Sequence, residues 1–159
     1  MEPLNFPVYQ AQIKTTDGKT LIFDLIRKKY VTLTPEEWVR QHLIHYLTTE
    51  KKCPSSLISV ETSLRFARLN KRSDLIVNDR NGQALLLAEC KAPEVAISTK
   101  TFEQIAIYNQ TVKAPFLLLT NGMQHYCMAA ATAAKPAEFL TEIPNYAKLN
   151  GEMGEFTRV

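Results

Sequence analysis

The chain has 159 residues, 45% of them hydrophobic and 22% charged, with a formal charge of +3. That is enough for one domain with its own core, and too mild a charge to define a partner by itself. Three widely spaced cysteines without a C-x-x-C pair argue against a disulfide framework or a zinc site and fit a reducing cytoplasm; no run reaches the roughly 18 apolar residues that span a bilayer.

The opening Met1-Glu2-Pro3-Leu4-Asn5 lacks the basic start and apolar stretch of a secretory leader, so a cytoplasmic chain with no membrane partner is expected. Residues 15–19 read as a turn and 20–26 as a strand, followed by the basic edge Arg27-Lys28-Lys29, expected to be solvated. Thr34-Pro35-Glu36-Glu37 begins a helix: Thr34 can cap, Pro35 suits the first position, and Glu37 closes a capping box. Val39, Leu43, Tyr46 and Leu47 then form its apolar stripe. After the break at Cys53-Pro54-Ser55-Ser56, residues 58–66 read as a strand, and 74–79 with 83–90 as a hairpin. Leu75-Ile76-Val77 and the run 84–88 are apolar on consecutive residues, the pattern of strands buried on both faces. Residues 98–112 have helical periodicity on Phe102, Ile105 and Val112. Pro115 leads into a buried strand 116–119, and Asn121-Gly122 turns it into 124–128. There is no repeat or linker, so residues 1–159 read as one α/β domain. Its mixed central sheet is flanked by helices, with a core over about 20–128 and a flexible tail from about 148.

The hairpin carries the chemistry. With Asn81-Gly82 as a two-residue turn, Arg80 pairs with Gln83 and Asp74 falls opposite Glu89. A three-residue turn with a glycine bulge would instead shift the pairing by one and leave the carboxylates diagonal. Side chains alternate, so Glu89 and Lys91 share a face and Cys90 takes the other. Two facing carboxylates repel, and a hard cation such as Mg²⁺, with Mn²⁺ as substitute, would relieve them and activate water for attack on a phosphodiester. Lys91 would position that water or neutralise charge on the phosphate. The plainer alternative is a polar hairpin end with a Glu-Lys surface pair.

Glu36 lies three and seven residues before Val39 and Leu43, on the inward stripe, where the metal site would partner it; otherwise both glutamates simply favour the helix start. Gln104 and Tyr108 share a helical face and could border the site. Against that, Thr101 and Gln104 could form a capping box, and Tyr108 could be core. Arg65, Arg68, Lys71 and Arg72, with Lys91, offer a basic wall for phosphates, half of it facing away. His42, His45 and His125 lack a third ligand for zinc.

These residues resemble the PD-(D/E)XK nuclease superfamily. More closely, the chain resembles the N-terminal nuclease domain of type I restriction enzyme R subunits, in a short stand-alone form. The matching segments are Leu33-Thr34-Pro35-Glu36-Glu37-Trp38-Val39-Arg40, Lys71-Arg72-Ser73-Asp74-Leu75-Ile76-Val77, Ala88-Glu89-Cys90-Lys91-Ala92-Pro93, Gln104-Ile105-Ala106-Ile107-Tyr108-Asn109 and Leu119-Thr120-Asn121-Gly122. The resemblance implies a restriction-endonuclease-like core, Asp74 and Glu89 as metal ligands and Lys91 as the catalytic lysine. It further implies Glu36 as the acid of the first helix and Gln104 with Tyr108 as the Q-x-x-x-Y element. Ser73 stands where the family has a proline that is not a ligand. R subunits of this kind carry a helicase motor, whose phosphate-binding motifs do not occur here. DNA cutting would then depend on direct encounter, a second copy of the chain, or a motor or specificity subunit. A nucleic-acid-binding or interaction module that keeps the fold without cutting is the rival reading.

Overall fold

The computed structural model describes residues 1–66 and 69–151, without the side chains of 62–66 and 69–72. Its strands form two sheets. A small antiparallel meander holds β1 (Ile13–Thr16), β2 (Lys19–Asp24) and β3 (Lys29–Thr32). The main sheet holds β4 (Ile58–Phe66), β5 (Leu69–Asn78), β6 (Ala84–Cys90), β7 (Phe116–Thr120), β8 (His125–Ala129) and β9 (Glu138–Phe139), in that order. Its ladders are antiparallel except β6–β7, which is parallel. The helices are α1 (Pro35–Thr49), α2 (Thr99–Val112), which makes the β6–β7 crossover, and the short α3 (Tyr146–Leu149). The α/β class and mixed sheet match the sequence reading; the separate meander does not appear in it.

Consecutive apolar residues send alternate side chains to opposite faces of the main sheet, and each face has its own core. Leu75, Val77, Leu86 and Ala88 pack with Val39, Leu43, Ile44 and Leu47 of α1. Ile76 and Leu87 pack with Ile105 of α2, with Phe102, Tyr108 and Val112 partly covered beside them. Fully burying one such aliphatic side chain contributes about 1.5–3 kcal/mol, so the hairpin strands are held from both sides.

The helix starts differ from expectation in one respect each. Thr34 Oγ1 accepts from the Glu37 N–H at 3.0 Å, but the Glu37 carboxylate turns to Arg40 and Gln41 and leaves the capping box half made. In α2 the reciprocal box is Ser98 with Thr101, so the helix begins at Thr99 and a later start using Gln104 is excluded.

The hairpin turn is a correction with an instructive outcome. Gly82 N–H donates to the Asp79 carbonyl and Asp79 N–H to Gln83, closing a three-residue loop with Gly82 at φ +80°. Asp79 also accepts from the Asn81 and Gln83 N–H groups, so only glycine has to adopt the left-handed conformation. That loop pairs Asn78 with Ala84, one out of step with the expected register. A bulge then intervenes, and Val77 meets Leu86, Ile76 meets Leu87 and Leu75 meets Ala88. Beyond the bulge the register is the one the two-residue count gives, and continued one step past Leu75 and Ala88 it sets Asp74 opposite Glu89; the loop and the bulge cancel.

At the chain's start, β2 stops at Asp24 rather than running to Ile26. The Asp24 carboxylate accepts from the N–H groups of Ile26 and Arg27 and turns the chain, with Lys28 at φ 56°. Packing also continues past residue 128. Ile143 and Leu149 are buried in the α1-side core, so the ordered unit reaches at least α3, and residues 152–159 lie outside the described residues.

Candidate active site

Asp74 sits at the β5 end with both carboxylate oxygens engaged. Its Oδ1 accepts from Arg40 Nη2 at 3.1 Å and its Oδ2 from the Cys90 backbone N–H at 2.7 Å. The second bond ties the acid directly to β6, between Glu89 and Lys91. Lys91 Nζ is 3.5 Å from Glu89 Oε1, so the two share a face as alternation requires. Cys90 packs into the opposite core, where burial holds its thiol well above its usual range and leaves it protonated. Lys91 N–H donates to the Thr120 carbonyl, fixing its backbone against β7. Beyond it, Asn121 Nδ2 donates to the Val95 carbonyl and clamps the loop after β6. Gly122, at φ +85°, lies so close to Leu4 and Val39 that a Cβ would fall 2.8 Å from Leu4 Cδ2; no other residue fits there without displacing Leu4.

Burial, reinforced by the Asp74 charge and only partly offset by Lys91, pushes the Glu89 carboxyl up to about 8. Glu36 is raised as well, by burial and then by Asp74, with Arg40 and Lys91 acting the other way. It faces the site from α1 with its side chain 44% exposed, and its Oε1 is 3.7 Å from Arg40 Nη2. The inward position expected for Glu36 belongs instead to Glu37, which is buried. The first two turns of α1 bury a polar face made of Glu37, Arg40 and Gln41, which an apolar stripe does not reveal.

That polar face is part of a network absent from the sequence reading. Arg40 Nη1 reaches Glu37 at 2.7 Å and Glu61 at 3.1 Å, while Arg27 reaches Asp24 at 2.7 Å and Glu61 at 2.8 Å. Arg27 is therefore no solvated edge. Glu61 lies across from Asp74 on β4 and has φ 49°, a left-handed conformation rare for glutamate. The spacing of Arg40, three and four residues after the glutamates, was a visible signal; nothing local marked Arg27 or Glu61. A cleft of about 530 Å³ opens beside this network, bordered by Val31, Thr32, Glu36, Arg40 and Glu94.

The remaining expectations divide. Gln104 is half-buried on α2, and among the described contacts it joins neither Lys91 nor the arginine network. Tyr108 packs on the α2-side core. Arg68 and the side chains of Arg65, Lys71 and Arg72 lie outside the described residues. His42, His45 and His125 are structural: His42 Nδ1 meets the Trp38 carbonyl, His45 stacks on Tyr9, and His125 bridges Thr120 and the Asn5 carbonyl.

Asp74 and Glu89 suit a hard cation. They offer oxygen only, and the cluster of Asp24, Glu36, Glu37, Glu61, Asp74 and Glu89 contains six acids against Arg27, Arg40 and Lys91 among the described residues. No three acidic, histidine or cysteine side chains among the described residues converge to hold an ion alone. Two carboxylates plus water and substrate oxygens is the arrangement Mg²⁺ accepts.

The model of the family "Type I restriction enzyme R protein N terminus (HSDR_N)" matches residues 35–144, well over half of the chain. The chain belongs to this family. Among solved structures it is similar to a fragment assigned as an HsdR subunit of a type I restriction enzyme from Vibrio vulnificus YJ016. The TM-score is 0.56 at 15% identity, over 77% of this chain and 26% of that one. This shows a shared fold, and the chain spans about a quarter of the relative's length. No curated protein matches the sequence. No helix among the described residues is long and apolar enough to cross a membrane.

Proposed function

We propose that this member of the R-protein N-terminal family is a metal-dependent nuclease domain that hydrolyses DNA phosphodiester bonds. The observation that carries the reading is the meeting of Asp74, Glu89 and Lys91 at neighbouring strand ends, where the acids outnumber the cations among the described residues. Asp74 and Glu89 are the residues that would hold Mg²⁺ or Mn²⁺. Such an ion, when bound, polarises the phosphate and acidifies a water. Arg40 and the Cys90 N–H keep Asp74 in one orientation, and Lys91 places a compact ammonium where charge grows on the phosphate. Glu36, at the mouth of the site, is within electrostatic reach of Asp74 and Lys91. The partners in this reading are DNA and a motor or specificity chain, or a second copy. The compartment is the cytoplasm, where thiols such as buried Cys53, Cys90 and Cys127 stay reduced.

The test is plasmid cleavage in Mg²⁺ by wild type and Lys91→Ala, with metal binding followed by calorimetry. Lys91→Ala is expected to cut about 10²–10³-fold more slowly while binding the ion with wild-type affinity. Cleavage by Lys91→Ala at the wild-type rate would overturn the reading and leave the non-cutting module in its place.

A further inference from the structure

The outward face of the β1–β2–β3 meander is an exposed basic surface that the proposed chemistry leaves unused. We propose that it binds the phosphate backbone of the DNA beside the cleft; this rests on the reading of the substrate as a nucleic acid. The register sorts the side chains. Lys14 pairs with Leu21 and Leu21 with Thr32, Thr16 pairs with Lys19, and Phe23 pairs with Tyr30, so these share one side. The other side carries Ile22 and Asp24, both fully buried, and so faces the body of the protein.

Lys14, Thr16, Lys19, Tyr30 and Thr32 are all exposed on the outward side. Lys14 Nζ stands 4.0 Å from the centre of the Tyr30 ring, which in turn meets Phe23 edge-on at 5.3 Å. The ring holds the ammonium over the face rather than letting it trail into solvent. Between residues 13 and 32 the acids are Asp17, in the turn, and Asp24, which is inward and paired with Arg27. Among the described residues, no carboxylate of the meander lies on the outward face. Lys14 and Lys19 lie on neighbouring strands, offset by two positions and so roughly 7 Å along the strand direction, close enough for one backbone to meet both. Threonine hydroxyls and lysines are donors that phosphate accepts without regard to sequence. The face also adjoins the cleft beside the arginine network. Thr32 borders the cleft with Glu36 and Arg40, and the chain runs from it through Thr34 directly into α1. DNA approaching the acid-rich cleft therefore meets this positive surface at its rim.

The test is fluorescence anisotropy of a labelled DNA duplex bound in Ca²⁺ across a salt series. It compares wild type, the pair Lys14→Ala with Lys19→Ala, and a control pair Lys135→Ala with Lys148→Ala, which removes the same charge from exposed positions elsewhere. Loss of two phosphate contacts flattens the slope of log K against log salt by about 1.8 and weakens binding by about 10- to 60-fold near 0.1 M salt; the control pair keeps the wild-type slope. Equal slopes for wild type and the Lys14/Lys19 pair, an equal loss in the control pair, or no DNA binding by wild type would each overturn the surface. Cleavage in Mg²⁺, scored separately, tells the two readings apart. Binding that depends on Lys14 and Lys19 without cutting upholds the surface and removes the nuclease. Cutting with an unaltered Lys14/Lys19 slope does the reverse.

Discussion

In the network beside the cleft, Asp24, Glu37 and Glu61 each meet a guanidinium at 2.7–2.8 Å. A few residues away, Glu89 has one lysine at 3.5 Å and a second carboxylate beside it. The same residue types do opposite work in the two places. Close pairing satisfies a buried acid permanently and makes it part of the fold. Incomplete pairing leaves an acid whose charge awaits a partner, which is the condition of a binding site. Asp74 joins the two regions: Arg40 holds one oxygen, yet its charge still bears on Glu89.

The comparison breaks most visibly at Arg40. Arg40→Met takes one guanidinium away from Glu37, Glu61 and Asp74 together, leaves a neutral side chain among them, and is expected to cost about 3–5 kcal/mol in urea unfolding. Arg40 Nε is buried with no hydrogen-bond partner among the described residues, so the network is itself imperfectly satisfied. Adding Glu37→Gln and Glu61→Gln to Arg40→Met should therefore restore part of the loss. Single and triple variants of equal stability would mean that the arginines merely accompany the fold. The same geometry makes Asp74→Asn destabilising, since Asp74 accepts from Arg40 and Cys90; relief of repulsion is to be sought at Glu89.

The sign for Glu89 is definite. Its carboxyl titrates near 4.5 when exposed and near 8 in the fold, so between those values the folded state holds more protons than the unfolded one. The stability that this carboxyl contributes is then fully present below about pH 4.5 and is lost as pH rises through about 8. Glu36 is raised too and adds a contribution of the same sign. Metal-free wild type should melt progressively lower across this window, and Glu89→Gln should melt with a flatter dependence and bind Mg²⁺ more weakly. Identical pH profiles for the two proteins would show that Glu89 is adequately compensated, and the contrast between the two regions would fail.

How much of this the residues declared in advance depended on the range of the interaction. Buried strands and two-sided burial were legible from consecutive apolar residues, and α2 from its periodicity. The loop and the bulge cancel, so the ladder reaches Leu75 and Ala88, beside Asp74 and Glu89, in the expected register although the turn is a different one. The arginine network was illegible because its members come from β2's turn, α1, β4 and β5, with bonded partners up to 34 residues apart. The positive φ at Glu61, which meets both arginines, has no local mark. Glu37 rather than Glu36 is buried because the first two turns of α1 pack through polar side chains, which a phase taken from apolar residues alone does not reveal.

That difference in burial sets the last and smallest effect. Glu37 accepts from Arg40 at 2.7 Å and Gln41 at 2.9 Å, so its removal belongs with the Arg40 class of losses. Glu36 is half-exposed, 3.7 Å from Arg40, and in a position where solvent screens it. Glu36→Ala should change stability by no more than about 0.5 kcal/mol, as at other exposed positions. Its charge nevertheless bears on Asp74 and Lys91, so cleavage should fall by on the order of tenfold, the scale of about 1.4 kcal/mol in the barrier. Glu36→Gln keeps the shape and removes the charge, and so separates the two roles. If Glu36→Gln cuts like Glu36→Ala, the charge is what the site uses. If Glu36→Gln cuts like wild type, Glu36 acts through its shape or hydrogen bonds. If both variants cut at the wild-type rate, Glu36 is an ordinary helix-start acid and the site reduces to Asp74, Glu89 and Lys91.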